Sequence, residues 1–306
     1  MIENMKIKRT IKKILPKKVF YFLRDIVYPE KINVLEERLN SVFFKQYSSI
    51  AAPNFYQKIA FKNSEFKVYS KHGGDGILAH IFSKIGTTNT TFVEVGVEDG
   101  TECNTTNLSF NFGWNGLLID ANEAWIKSAR IFYKNKLGSM FSNIKMIAGF
   151  VTAENVNQLI TDGGVMGEID LLSMDIDSND FWVWNSIAVV DPRVVVMEYN
   201  AAFGHRSLTI KYDPRFHFQK VFKENPLYFG ASLSALTRLA KKKGYILVAC
   251  DTHGHDAFFV KREVAAGKFI ELSPEEAFYP NPYTIRTIGS VEKQFELIKH
   301  LEFEEV

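Results

Sequence analysis

The sequence has few cysteines and no long apolar run. Its two cysteines, Cys103 and Cys250, lie far apart among 306 residues and form no CxxC or Cys/His pattern. This spacing argues against a disulfide framework and against a structural zinc site. No apolar stretch approaches the roughly 18 residues that span a bilayer, and the run at 19–23 is too short for a signal-peptide core. We therefore expect a reducing, cytoplasmic setting.

The chain also lacks a strong overall charge, since its net charge is +2. That charge is unevenly placed, because residues 1–24 carry eight basic side chains and one acidic side chain, a net charge of +7. Residues 1–60 are interpreted as a basic helical N-terminal extension that prolines break into short pieces. The arm at 1–24 suits peripheral contact with the anionic inner membrane face, or a solvated helix packed on the domain or a partner. No nucleic-acid partner is expected, and the oligomeric state stays open.

Beyond the extension, short apolar runs alternate with helical stretches. The strand candidates are 92–95, 116–120, 144–148, 169–175, 194–199, 245–250 and 257–261. Apolar strands separated by helices predict a parallel sheet covered on both faces, which is a doubly wound α/β fold. Only about six residues separate the last two strands, so this pair is predicted to be antiparallel. The prediction is a domain at 61–262 with a seven-stranded, mostly parallel sheet, followed by a tail at 263–306 that packs on it.

A glycine turn follows the first strand. Glu94, Gly96 and Gly100 form an E-x-G-x-x-x-G pattern, not the G-x-G-x-x-G of pyrophosphate-binding turns. Glycines let the backbone approach a ligand at the carboxyl edge of the sheet, and Asp120 ends the second strand, where a carboxylate can accept both ribose hydroxyls. Taken singly, the turn is an ordinary tight turn and Asp120 is a helix N-cap. Together they indicate a nucleoside cofactor.

Four segments together resemble the class I S-adenosylmethionine-dependent methyltransferases, most closely the FkbM-type and related sugar methyltransferases of bacterial surface-glycan clusters. They are FVEVGVEDGTECNT (92–105), GWNGLLID (113–120), DLLSMDIDSND (170–180) and VVVMEYN (194–200), and the resemblance covers about 69–262. It implies a Rossmann-like methyltransferase fold and S-adenosylmethionine as cofactor. The sequence departs from the family pattern at Val97 and Glu98, where small residues are usual.

The resemblance also implies roles for particular residues. Glu94, Gly96 and Gly100 would line the methionine part of the cofactor, and Asp120 would hold its ribose. The adenine would lie by Gly149 and Phe150. Three residues before the first strand would close over the cofactor, and a carboxylate after the fourth strand is a further candidate to bind it: Tyr69, Ser70, Asp75 and Asp175.

Acidic and amide side chains follow the fourth and fifth strands. Asp175 and Asp177 are two residues apart, as are Glu198 and Asn200, so each pair shares a strand face if the strands continue. Hard oxygen ligands suit Mg²⁺, and Asp177, Glu198 and Asn200 are the predicted ligands. The alternative is that the aspartates bond the cofactor ammonium or loop amides while Glu198 orients substrate without metal.

The segment after the fifth strand is predicted to bind the methyl acceptor. It carries more cations than acids, which favours an anionic substrate such as a phosphorylated or nucleotide-linked sugar. The candidate substrate contacts are Arg206, Lys211, Tyr212, Arg215 and His217. His205 is the favoured general base over His253 and His255, with Asp177 and Glu198 as further catalytic candidates.

The function that these patterns favour is O-methylation of a sugar or sugar phosphate of a bacterial capsule or lipopolysaccharide. An NAD-dependent oxidoreductase on a similar sheet is the alternative enzyme, although the turn spacing argues against it. A non-catalytic methyltransferase-like scaffold is the alternative outside enzymes. Methyl transfer requires no nucleophile motif, because the sulfonium is already activated.

Overall fold

The structure is a computed structural model that describes residues 57–216, 221 and 223–306. In this part of the chain, strands alternate with helices. The strands are β1 (Thr91–Val95), β2 (Asn115–Asp120), β3 (Ile144–Ala148), β4 (Gly167–Met174), β5 (Val190–Glu198), β6 (Leu208–Ile210), β7 (Tyr245–Cys250), β8 (Asp256–Lys261) and β9 (Phe303–Glu305). The α-helices are α1 (Gln57–Ser64), α2 (Gly74–Ile85), α3 (Thr106–Phe112), α4 (Glu123–Leu137), α5 (Val156–Asp162), α6 (Asp180–Ser186), α7 (Leu233–Lys242), α8 (Arg262–Ala265), α9 (Pro274–Ala277), α10 (Pro282–Thr287) and α11 (Val291–Ile298). Two 3₁₀ helices span Gly138–Asn143 and Ala201–Phe203.

Seven strands form one sheet in the order β3-β2-β1-β4-β5-β8-β7. The strands from β3 to β5 in this order are parallel to one another, and β8 is antiparallel to both β5 and β7. The predicted doubly wound, seven-stranded, mostly parallel α/β architecture is therefore confirmed, as is the antiparallel pairing of the last two strands. Inserting β8 between β5 and β7 gives the strand order of the Rossmann-like methyltransferase fold.

The strands bury both faces because consecutive residues enter different apolar clusters. Val93 and Leu172 pack with α5, α6 and α7 on one side, whereas Phe92 and Leu171 pack with α1, α2 and α4 on the other. All four side chains are inaccessible to solvent. A run of apolar residues without polar alternation is what such a doubly covered parallel strand requires.

β5 begins at Val190, four residues earlier than the apolar run predicts, because a buried ion pair lets it continue through polar residues. The Arg193 guanidinium lies 2.6 Å from an Asp170 oxygen and also donates to the Ile85 and Gly86 carbonyls. The Asp170 carboxylate in turn accepts the amides of residues 88–90, just before β1. Pairing satisfies charges that burial would otherwise penalise.

The tail adds a small sheet that sequence patterns did not indicate. β9 pairs with β6 in antiparallel register, and a third apolar cluster that includes Phe203 and Ile210 lies beside this pair. The basic arm at 1–24 and all but the last four residues of the predicted extension at 1–60 lie outside the described residues, so the membrane contact stays a prediction. Among the described helices, none has the length and apolar character needed to cross a bilayer.

Candidate active site

A cavity of about 630 Å³ opens at the carboxyl edge of the sheet, where β1, β2, β4 and β5 end. This is the edge at which doubly wound sheets bind ligands. It is lined by Lys71, His72, Glu94, Val95, Gly96, Val97, Glu98, Asp99, Glu102, Cys103, Asn104, Asp120, Ala121, Asn122, Trp125, Gly149, Phe150, Val151, Asp175, Ile176, Asp177, Ser178, Glu198, Phe216, His255 and Asp256.

The lining is rich in acidic side chains. Nine of the described lining residues are aspartates or glutamates, whereas Lys71 alone among them carries a fixed positive charge. The Lys71 ammonium is favoured by the nearby charges of Asp175 and Glu198, which outweigh its burial and raise its pKa. The cavity therefore suits a ligand with positive charge.

The glycine turn brings β1 against β4. Gly96 has a φ of +85°, and a Cβ atom at this position would lie 1.6 Å from the Asp175 carbonyl oxygen, so only glycine fits. Gly100 also has positive φ, but its space is limited by the Tyr133 ring on α4, and it does not line the cavity. Gly96 thus belongs to the cavity wall, whereas Gly100 shapes the turn from behind.

The two positions that depart from the family pattern have separate roles in this turn. The Val97 side chain is 3% exposed and packs in the apolar core. Glu98 adopts a left-handed conformation with φ of +48°, and its amide donates to Asp120 at 2.8 Å. The turn therefore stays open to the cavity despite its larger side chains.

Glu94 organises the start of α3. Its buried carboxylate accepts the amides of Asn104 and Thr105 at 2.9 and 3.0 Å, together with the Thr105 hydroxyl. Burial raises the pKa of Glu94, although these hydrogen bonds oppose the rise. Glu94 lines the cavity, as the proposed cofactor role needs, while most of its hydrogen-bonding capacity serves the loop.

Asp120 lies at the end of β2, next to the residues predicted to face an adenine. One carboxylate oxygen accepts the Glu98 amide at 2.8 Å and the other accepts the Asn122 amide at 2.7 Å. Each oxygen keeps a lone pair for a ligand hydroxyl. Gly149 and Phe150 line the cavity beside it.

The loop before α2 reaches the cavity through residues other than those predicted. Asp75 accepts the amides of residues 68–70 at 2.7 to 2.8 Å, and the Ser70 hydroxyl accepts the Asp75 amide. Tyr69 packs edge-on against Phe110. These three residues do not line the cavity; they close the loop that presents Lys71 and His72, which do.

Three carboxylates meet at the far end of the cavity. Oxygens of Asp175, Asp177 and Glu198 all lie within 4.8 Å of one another. The strand does not continue through these residues, because β4 ends at Met174 and Asp177 has a φ of +52°. Burial, together with the charge of Asp175, raises the pKa of Asp177 to about 8.

Asn200, the third predicted metal ligand, does not join these carboxylates. Its side-chain oxygen accepts the Ala202 amide at 3.0 Å and caps the 3₁₀ helix, while its nitrogen donates to the Leu227 and Phe229 carbonyls. This amide is therefore fully occupied in holding loops together. Asp175, instead of Asn200, is the third side chain that lies close to Asp177 and Glu198.

Of the three histidines that the sequence offered as a base, His255 lines the cavity, whereas His205 and His253 do not. His255 Nδ1 lies 3.4 Å from a Glu198 oxygen, and the ring stacks on His72 with centroids 4.2 Å apart. Burial and the charge of Lys71 lower the pKa of His255 to about 4, so its ring is neutral near pH 7. The 3₁₀ turn after β5 directs His205 toward Phe278, beside a separate cavity of about 500 Å³.

The four predicted acceptor contacts that the structure describes do not line the cavity. Arg206 stacks over the Phe295 ring, and Lys211 forms an ion pair with Glu302. Within the described chain, the ion pair of Arg215 is with the partly exposed Asp213. The other two candidates are Tyr212, whose hydroxyl bonds Glu154, and His217, which lies outside the described residues. From the described part of this segment, only the apolar Phe216 lines the cavity.

No protein-family model matches the chain, and no curated protein matches it in sequence. Several solved structures with a similar fold are methyltransferases. An O-methyltransferase from Bacillus cereus in complex with S-adenosylhomocysteine is 17% identical, with 79% of this chain and 95% of that chain covered and a TM-score of 0.38. A protein from Staphylococcus aureus assigned as a caffeoyl-CoA O-methyltransferase is 14% identical, over 73% and 99%, with a TM-score of 0.40.

A third similar structure is a protein from Galdieria sulphuraria assigned as a sarcosine dimethylglycine methyltransferase. It is 18% identical, and the match covers 56% of this chain, with a TM-score of 0.38. The match spans 61% of the Galdieria protein, which is less than two thirds of its length. At these identities the likeness concerns the fold alone.

Proposed function

We propose that this chain binds S-adenosylmethionine in the cavity at the carboxyl edge of the sheet and transfers its methyl group to an oxygen. The observation that carries the proposal is the combination of an acid-rich lining with Asp120 at the end of β2. The cofactor carries a sulfonium and an ammonium, so the lining attracts the charge that it must hold, and a carboxylate is available for its ribose.

The same lining opposes the nicotinamide alternative. A dinucleotide brings an anionic pyrophosphate, which such sheets bind with a glycine-rich turn at a helix N-terminus. Here the turn between β1 and α3 presents Glu98, Asp99 and Glu102 to the cavity. Like charges at these positions would repel the phosphates.

The cofactor would lie across the edge from β3 to β5. The ribose would bond the free lone pairs of Asp120, and the adenine would lie beside Phe150 and Trp125. The methionine part would follow Gly96 toward Asp175. The volume of about 630 Å³ leaves space for an acceptor beside the methyl group.

In the proposed reaction, an acceptor hydroxyl oxygen forms a bond to the methyl carbon while the carbon–sulfur bond breaks. The electrons of that bond stay on sulfur and give S-adenosylhomocysteine, and the hydroxyl proton passes to a carboxylate. Asp177 and Glu198 are the candidate bases because both carboxylates line the cavity. Burial raises the pKa of Asp177 to about 8, close to the pH range in which a base is most effective. His205 has no part in this step.

The carboxylates of Asp175, Asp177 and Glu198 also fit a divalent cation, since their hard oxygens lie within 4.8 Å of one another. When bound, Mg²⁺ would supply Lewis acidity that lowers the pKa of an acceptor hydroxyl. Lys71 lies near the same carboxylates and is the alternative counter-charge. Loss of turnover in excess EDTA and its recovery with Mg²⁺ supports the metal; unchanged turnover assigns the role to Lys71.

We propose a sugar hydroxyl as the methyl acceptor, and more specifically a hydroxyl of a bacterial surface-glycan precursor. This part rests on the resemblance of residues 92–105 and 170–180 to sugar methyltransferases. The acid-rich lining favours a neutral sugar face at the methyl group, so any phosphate on the acceptor would lie outside the cavity. A screen of neutral and phosphorylated sugars for transfer of a labelled methyl group tests this class.

Calorimetric titration of the full chain with S-adenosylhomocysteine and with NAD⁺ tests the proposed cofactor. We expect one site for S-adenosylhomocysteine and no detectable heat with NAD⁺. Binding of NAD⁺ alone would support the oxidoreductase. Binding of neither ligand would remove the enzyme proposal and leave the scaffold.

A further inference from the structure

We infer that Asn281, from the tail beyond the sheet, is a positioning residue for the active site, because its amide fixes the ring of His255 so that Nδ1–H faces Glu198. Asn281 Nδ2 lies 2.9 Å from His255 Nε2, and His255 Nδ1 lies 3.4 Å from a Glu198 oxygen. This inference rests on the proposed function for its catalytic meaning, but its geometry is independent of it.

The orientation of the Asn281 amide is set by its second role. Its Oδ1 accepts the amides of Tyr283 and Thr284 at 2.9 and 3.2 Å and so caps the N-terminus of α10. With the oxygen committed there, the NH₂ group must face His255. Because an amide NH₂ only donates, Nε2 must accept, and a neutral ring then carries its proton on Nδ1.

Two further contacts hold the tail, one at Tyr199 after β5 and one at the turn that carries His255. The Tyr199 hydroxyl donates to the Tyr279 carbonyl at 2.8 Å and accepts the Tyr279 amide at 3.3 Å. Gly254 has a φ of +69°, and a Cβ there would lie 2.6 Å from the Tyr279 oxygen and 2.8 Å from the Asn281 nitrogen. The tail is thus packed backbone to backbone against the residue that precedes His255.

This arrangement matters because Glu198 is buried and shares its surroundings with Asp175 and Asp177. A donor aimed at one Glu198 oxygen sets which oxygen faces the cavity. A histidine with the opposite tautomer would place a lone pair against that oxygen instead. Asn281 therefore acts on Glu198 through His255, without contact to the reacting atoms.

Asn281→Asp tests the inference with little change in the fold. Asp caps helices as well as Asn does, so α10 keeps its cap, but an acceptor oxygen now faces Nε2 and draws the ring proton there. We expect kcat to fall about tenfold or more while the Kd for S-adenosylhomocysteine stays within about threefold. Asn281→Ser keeps a cap without reaching His255 and should cause a smaller loss of kcat. Asn115→Asp makes the same chemical change at the amino end of β2 and should leave kcat unchanged.

Two readouts separate positioning from a general structural effect. In ¹⁵N spectra of ring-labelled histidine, His255 of the parent should carry its proton on Nδ1, and Asn281→Asp should place a proton on Nε2. In a His255→Phe background, Asn281→Asp should have little further effect on kcat.

An unchanged tautomer, or full additivity with His255→Phe, would overturn the inference. The spectra need no turnover, so they test the inference even if the parent fails to bind S-adenosylhomocysteine. Failure of that binding refutes the proposed function instead.

Discussion

Asp120→Asn tests the cofactor site most sharply among the single substitutions. In the parent, each carboxylate oxygen accepts one backbone amide and keeps one lone pair for a ribose hydroxyl. Replacing it with an amide removes the charge and one acceptor. Loss of one ribose hydrogen bond, and of the charge that strengthens the other, should weaken S-adenosylhomocysteine binding by about 1.5–3 kcal/mol, or roughly 10- to 150-fold.

The comparison must separate ribose binding from damage to the loop, because Asp120 also holds the Glu98 amide. Calorimetry with S-adenosylhomocysteine and with its 2′,3′-dideoxy analogue does so. The substitution should weaken the first ligand and change the affinity of the second by less than about threefold, since loop damage affects both ligands equally. Asp162→Ala, at the exposed end of α5, is a control for charge alone. Equal losses for the two ligands would refute the assignment of ribose to Asp120.

Three further substitutions, one of them paired with a control, test the fold and the acid cluster. Asp170→Ala leaves the Arg193 guanidinium buried without its partner, so urea unfolding should show a loss of about 3–5 kcal/mol. Gly96→Ala forces a Cβ into a backbone carbonyl and should abolish S-adenosylhomocysteine binding, whereas Gly113→Ala, with positive φ but open space, should cost only about 1–2 kcal/mol of stability. In EDTA, Asp177→Asn should gain about 1–3 kcal/mol of stability relative to the parent between pH 6 and pH 9.

The sign of the Asp177 prediction follows from its pKa. Its folded-state pKa of about 8 lies above the unfolded value near 3.9, so the stability contributed by the protonated group is lost as pH rises through about 8. Because Asn cannot ionise, the Asp177→Asn variant does not lose this stability as the pH rises from 6 to 9. A stability difference between variant and parent that is equal at pH 6 and pH 9 would contradict the assignment. If Asp170→Ala unfolds at the same urea concentration as the parent, the buried ion pair does not stabilise the fold. If Gly96→Ala and Gly113→Ala bind S-adenosylhomocysteine equally well, the close contact at Gly96 is not needed for binding.

The sheet and the edge that carries the cavity were predictable because they depend on local patterns. Apolar runs marked the strands, and the ends of parallel strands necessarily meet at one edge, which brought Glu94, Asp120 and Asp175 together. The short spacing between β7 and β8 likewise indicated an antiparallel pair. Each of these inferences needed only residues close in sequence.

The site residues that the sequence did not predict depend on packing between segments that are distant in the chain. Lys71 and His72 reach the cavity because Asp75 closes their loop, and Asn281 reaches His255 because the tail packs on Gly254. No periodicity in the sequence reports such contacts. Asn200 failed as a ligand for a related reason, since a short polar side chain after a strand is equally suited to cap the next helical turn.

A crystal structure of the full chain with S-adenosylhomocysteine tests the central claim most directly. The account predicts ligand density in the cavity of about 630 Å³, with ribose hydroxyls within hydrogen-bonding distance of Asp120 and the sulfur directed toward Asp175 and Glu198. Density at another place, such as the cavity beside His205, or a ribose that makes no contact with Asp120, would contradict it.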